Sequence, residues 1–253
     1  VVTMNAAATV TAAFMPLRRL DVVKAGTGAG TVTGSPAGIS SDINCGTACS
    51  SDSADYTGGT TVTLTATPDA GHVFTGWSGG CSGTGPCVVT MNAAKSVTAT
   101  FTPLRRMDVV KAGTGTGTVT SSPSGINCGA TCSSNSADYT DGTAVTLTAV
   151  PDAGHTFTGW SGGCSGTGLT CNVTMDAIKS VTATFTPLRT LSVVKAGTGT
   201  GTVTSSPSGI NCGTACSSDY IINTVVTLTA APDAGNTFTG WSGGCSGTGL
   251  TCN

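Results

Sequence analysis

The residues of this chain most able to do chemistry are its 12 cysteines. They fall into three sets of four with repeated spacing: Cys45, Cys49, Cys81 and Cys87; Cys128, Cys132, Cys164 and Cys171; Cys212, Cys216, Cys245 and Cys252. Each set is a C-x3-C followed by a pair with five or six residues between. A thiolate cluster can hold zinc, but the tight C-x2-C knuckle of structural zinc sites is absent. No C-x-x-C-H occurs, so covalent haem is excluded by that route. An even count at repeated spacing reads instead as disulfides, and disulfides imply an oxidising compartment outside the cytosol. Local pairing would close loops of five and of seven or eight residues, each contributing about 2 kcal/mol in the chain-entropy model. Pairing between the two loops of a set would contribute more. The Gly-rich stretches CGTAC and CSGTGPC can fold back on themselves, which favours local pairs, with cross-pairing left as the alternative.

Other reactive side chains make no catalytic set. His72 and His155 occupy equivalent places, but the third stretch has Asn236 there, so no chemistry common to all three depends on a histidine. No Ser-His-Asp arrangement follows, and the chain reads as a non-enzyme without cofactor. Asp52, Asp55 and Asp138 sit in loops of a kind calcium favours, but at no calcium-loop spacing; turn formation is the default. Trp77, Trp160 and Trp241 recur in GWSGG and read as core anchors, with a sugar-stacking platform as the alternative. Rows of alternating Thr read as a solvated strand face, with O-linked glycans a second use.

The elements that position these residues are strands. Only 9% of residues are charged, and Gly is abundant at 37 residues. No apolar run reaches the roughly 18 residues of a membrane-spanning helix. The net charge of −2, without a basic cluster, gives no footprint for nucleic acid. Period-two alternation marks the strands. In TVTLTATP, Val62, Leu64 and Ala66 share one face. In SVTATF, Val97, Ala99 and Phe101 point inward, and Val89 and Met91 share a direction. DVVKAG and GTVTGSP, joined through a GTG turn, predict a hairpin. PDAG at 68–71 is a turn. The reading is all-β, about six strands per unit, in a β-sandwich or β-grasp-like fold.

Self-similarity sets the organisation. LRRLDVVKAGTGAGTVT at 17–33 returns at 104–120 and again at 188–204. Repeat 1 spans 17–103, repeat 2 spans 104–187, and repeat 3 spans 188–253. Residues 1–16, VVTMNAAATVTAAFMP, match the last two strands of a repeat, which 188–253 lacks. GTGxGTVTSSPSGINCGxxCS, VTLTAxPDAGxxFTGWSGGCSGTG and VTMDAxKSVTATF resemble the divergent internalin-B-type B-repeat domain of bacterial surface proteins, over essentially the whole chain. The resemblance implies a compact β-rich fold, a structural or adhesive role and no catalytic residues. The expected protein is extracellular and structural, a fibre or surface stalk, with adhesion to surface glycans as the alternative. Its expected partners are copies of itself, head to tail. Either the chain is one window of a longer array, or Val2, Met4, Val10 and Phe14 of one chain fill the third repeat of another.

Overall fold

The computed structural model describes all of residues 1–253 and contains strands without helices. The protein is an all-β tandem array. It divides into two compact units, residues 1–105 with 138–143, and residues 106–137 with 144–253.

The first unit holds repeat 1. Its strands are β1 (Leu17–Ala25), β2 (Gly30–Ser35), β3 (Asn44–Cys45), β4 (Ser51–Thr57), β5 (Thr61–Pro68), β6 (His72–Gly79), β7 (Cys87–Thr90) and the first half of β8 (Lys95–Ala112). They form two sheets, ordered β6-β8-β1-β4 and β3-β2-β5-β7. Alternation is the reason for this arrangement. Leu20 and Val22 of β1, Val97, Ala99 and Phe101 of β8, and Ala54 and Tyr56 of β4 turn one way. Val32, Val62, Leu64 and Val89 of the other sheet share the same core cluster, with Trp77 and the buried Cys45 and Cys87. The central strand of the first sheet is β8. It runs parallel to β1, with Val97 opposite Val22, and antiparallel to β6, with Phe101 opposite Phe74.

The hairpin predicted from DVVKAG and GTVTGSP does not form. β1 pairs with β4 and β8, whereas β2 pairs with β3 and β5. The Gly-rich link carries the chain from one sheet to the other across the end of β8. There the Gly28 N–H donates to Phe101 O at 2.9 Å. A Cβ on Gly28 would lie 2.4 Å from the Thr102 nitrogen, so close backbone approach, not a tight turn, requires glycine here. Strands β3 and β4 also fall within the stretch read from sequence as a loop.

In the second unit, repeat 2 uses the same plan. Its strands are β9 (Gly117–Ser122), β10 (Asn127–Cys128), β11 (Ser134–Thr140), β12 (Ala144–Pro151), β13 (His155–Gly162), β14 (Thr170–Thr174) and β15 (Lys179–Ser192). One sheet is ordered β10-β9-β12-β14; in the other, β15 lies between β13 and the second half of β8, where Val181 faces Val109. β15 continues without a break into repeat 3, where Leu188–Ser192 pairs with β17 (Ser217–Ile221). Repeat 3 adds β16 (Gly201–Ser206), β18 (Thr227–Pro232) and β19 (Thr251–Cys252) in a three-stranded sheet. Residues 1–16 form no strand and are exposed.

Candidate functional site

All six disulfides close local loops: Cys45–Cys49, Cys81–Cys87, Cys128–Cys132, Cys164–Cys171, Cys212–Cys216 and Cys245–Cys252. There is no free cysteine. A lysine ties the first loop of a repeat to its sheet. Lys24 Nζ donates to the carbonyls of Gly30 at 2.8 Å, Gly46 at 2.6 Å and Thr47 at 2.9 Å. Lys111 does the same with Gly117, Gly129 and Ala130, at 2.7, 2.6 and 2.9 Å. Burial pushes the pKa of the Lys111 ammonium down, and the charge of Asp152 opposes that shift. Sequence reasoning missed this role. The signal was the lysine of VVKAGTG, present at the same place in all three repeats.

The histidines are structural acceptors. The Ala29 N–H donates to His72 Nδ1 at 3.1 Å, and the Thr116 N–H to His155 Nδ1 at 3.2 Å. In repeat 3 the Thr200 N–H donates to Asn236 Oδ1 at 3.1 Å. Asn can replace His because only one acceptor is needed. The Asp52 carboxylate takes the N–H groups of Asn44 and Ser53, both at 2.8 Å. Asn135 holds Asn127 N–H in the same way. No three His, Cys, Asp or Glu side chains converge anywhere as a cation site; Asp55 and Asp138 lie on β4 and β11.

Trp77 and Trp160 are each 5% exposed. Their indole N–H groups donate to Gly85 O at 2.7 Å and Gly168 O at 2.9 Å. Phe74 and Phe157 meet them at ring-centroid distances of 5.0 and 4.9 Å. Neither ring offers a free face to a sugar.

Repeat 3 keeps these local devices. Trp241 still donates to Gly249 O at 2.9 Å and packs 4.9 Å from Phe238. Yet Leu191, Val193, Val226, Phe238 and Trp241 are only partly buried. Their counterparts Leu20, Val22 and Val62 are fully buried in repeat 1. Residues 193–196 and 236–240 form no strand, unlike the corresponding parts of β1 and β6. Residues 188–253 contain no counterpart of Lys95–Thr102, the strand that pairs with β1 and β6 in repeat 1. Lys195 Nζ keeps only Gly201 O, at 3.0 Å. Gly197 and Gly199 have no strand backbone against them, where Gly26 and Gly28 press on Phe101 and Thr102. Val2, Met4, Val10 and Phe14 are 56, 67, 72 and 92% exposed and pack on no core.

Small two-sheet units, clipped by local disulfides and passing a strand from one repeat to the next, define a tandem β-repeat protein. The divergent InlB B-repeat domain matches residues 20–105, 108–189 and 191–253, and the chain belongs to that family. No curated protein matches it. Among solved structures it aligns with the Bacillus anthracis TIE protein at 8% identity and a TM-score of 0.28, covering 86% of this chain and 45% of that one. The chain thus spans under half the length of that protein. It aligns with the major pilin protein (T-13) of Streptococcus pyogenes at 11% identity and a TM-score of 0.25, covering 68% of this chain and 97% of that one. With the shaft pilin spaA of Lactobacillus rhamnosus GG the identity is 8%, the TM-score 0.25, and the coverage 71% and 100%. Scores this low do not establish a shared fold.

Proposed function

We propose that the chain is a non-enzymatic extracellular protein of a bacterial surface, a stalk or fibre whose repeats join head to tail. One observation carries this reading. β15 completes the sheet of repeat 2 with Lys179–Thr184 and opens repeat 3 with Leu188–Ser192, with no linker between. Tension applied along such an array passes through strand hydrogen bonds rather than through a flexible tether. The family and the six disulfides support an oxidising location outside the cell. Burial of Trp77 and Trp160 speaks against the adhesive alternative built on sugar stacking.

Two measurements test the proposal. Antibody labelling of intact cells should decorate the surface. Electron microscopy of chains with two, three and four repeats should show a length that rises by a constant increment. Intracellular labelling, or glycan-array binding that disappears in Trp77→Ala, would overturn it.

A further inference from the structure

We propose that the outer edge of β14 in repeat 2 docks on the same edge of a second copy of the chain, the two strands pairing antiparallel about Asn172. The contact goes beyond head-to-tail joining and does not depend on it. A sheet edge is a row of unpaired N–H and C=O groups that can template another strand, and folded proteins guard such edges. The other edges of repeats 1 and 2 are guarded. Residues 38–42 cover β4: the Ile39 N–H donates to Asp55 O at 2.8 Å and the Ser41 hydroxyl to Ser53 O at 3.0 Å. β11 carries the exposed charge of Asp138. β6 and β13 are bulged before Gly76 and Gly159, and the chain returns across them, with the Trp77 and Trp160 N–H groups donating to Gly83 O and Gly166 O at 2.8 Å. β3 and β10 are two residues long, and the side chains of Asp52 and Asn135 take the N–H groups of Asn44 and Asn127. Pro86, which has no N–H, stands at the start of the β7 edge.

β14 has none of these devices. It runs from Thr170 to Thr174 and pairs with β12 on one side only. Thr170 stands where repeat 1 has Pro86. In an antiparallel ladder, alternate residues bond to opposite sides. The Ala149 N–H donates to Leu169 O at 2.8 Å, which puts residues 169, 171 and 173 on the β12 side. Thr170, Asn172 and Thr174 therefore turn their backbone groups outward, and all three are exposed. Thr174 O takes the Asp176 N–H in a turn; the other outward groups have no protein partner. Buried Cys171 and Val173, with the Cys164–Cys171 disulfide, fix the strand from its inner face, so the template is preformed.

The occupant is a second copy because this edge is complementary to itself. Pairing about Asn172 sets Asn172 against Asn172 of the partner subunit, and Thr170 against Thr174 of the partner subunit. No like charges oppose each other in that register. Asn172 Oδ1 accepts from the Thr146 hydroxyl at 2.7 Å, which leaves the amide N–H groups to donate across the two-fold axis. Asp176, the next acid along the chain, is paired with Lys179 and falls opposite a glycine, position 168. The sheet face behind the edge is uncharged as well. It consists of the rows Ser122–Thr146–Asn172 and Thr120–Thr148–Thr170, and of Thr118 beside Val150. The face of one copy therefore continues into that of the other without an unpaired charge. Such a contact is isologous and closes as a dimer, whereas head-to-tail joining propagates.

The test uses the 253-residue chain. Sedimentation across a range of concentrations should show dimerisation, and amide hydrogen exchange at Asn172 and Thr174 should slow as the dimer forms. Asn172→Lys sets like charges against each other and should weaken dimerisation at least tenfold. Asn172→Asp, which keeps an acceptor for Thr146, should do the same, and neither should shift the melt of the monomer, because residue 172 is exposed. An equimolar mixture of the two variants should dimerise again, since the two-fold axis then sets Lys against Asp. A chain that is monomeric at every concentration overturns the proposal. So does association indifferent to both variants, including growth past the dimer, which would belong to another contact. Loss of the dimer in each variant without recovery in the mixture overturns the pairing about Asn172.

Discussion

The three repeats make each residue its own control. Tyr220 donates or accepts at 2.7 Å with Ser205 Oγ. Repeat 1 has Gly34 in the place of that serine, and the buried Tyr56 hydroxyl has no partner. A buried hydroxyl without a hydrogen bond costs about 1–3 kcal/mol. Tyr56→Phe is therefore expected to be neutral or stabilising, and Tyr220→Phe to cost about 1 kcal/mol; denaturant melts of the two variants check this. Burial, then the charges of Asp42 and Asp52, push the Tyr56 phenol above its ordinary value of 10.0. The folded chain thus holds that proton at pH values where the unfolded chain releases it. Stability is full below pH 10 and falls as pH rises through the folded pKa. Tyr56→Phe should flatten this alkaline decline, and an unchanged slope would sink the assignment. At His155, one acceptor for the Thr116 N–H is all that the fold uses. His155→Asn should be near neutral, as Asn236 is in repeat 3, and His155→Ala should cost about 1 kcal/mol. Equal losses in the two variants would mean that the ring packs rather than accepts.

At the scale of elements, period-two alternation made the strands visible and the spacing of GWSGG to SVTATF made the family visible. Pairing was less legible. Two β-type segments flanking a Gly-rich link look like a hairpin, and here they belong to different sheets. Local sequence reports strand tendency, whereas partners are chosen by which apolar faces share a core. The interval from Cys45 to Tyr56 hid β3 and β4 because polar residues fill it. β4 nonetheless turns two side chains into the core, with Ala54 and Tyr56 3% and 2% exposed. The link itself gives a sharp test. A Cβ on Gly28 would push into the backbone of Thr102, at 2.4 Å from its nitrogen. Gly28→Ala should therefore displace β8 from β1 and cost about 1–3 kcal/mol, as overpacking does. Gly199→Ala should cost less, because its added Cβ meets a side-chain atom of Asn236 at 3.1 Å and no strand backbone. Melts showing equal losses at the two sites would mean that the close approach is not what holds the link.

Over the whole molecule, stability is a sum of repeats, each with a small core and two short disulfide loops. A loop of five to eight residues contributes about 2 kcal/mol by limiting the unfolded chain. Reduction therefore removes about 4 kcal/mol from each repeat by the same model. The loss is equal, but the reserves are not. Repeats 1 and 2 seat Phe101 and Phe185 at zero exposure on a central strand, whereas repeat 3 leaves Leu191, Val193, Phe238 and Trp241 partly open. Reduction should leave a clear β signal while opening repeat 3 first. Trypsin reports this directly, since Arg189 and Lys195 stand at the entrance to repeat 3 and Lys24 and Lys111 are held by three carbonyls each. In reductant, early cuts should fall at Arg189 and Lys195, with Lys24 and Lys111 cut later. Early cleavage at Lys24, or simultaneous loss of all three repeats, would show that repeat 3 is not the weakest part of these 253 residues.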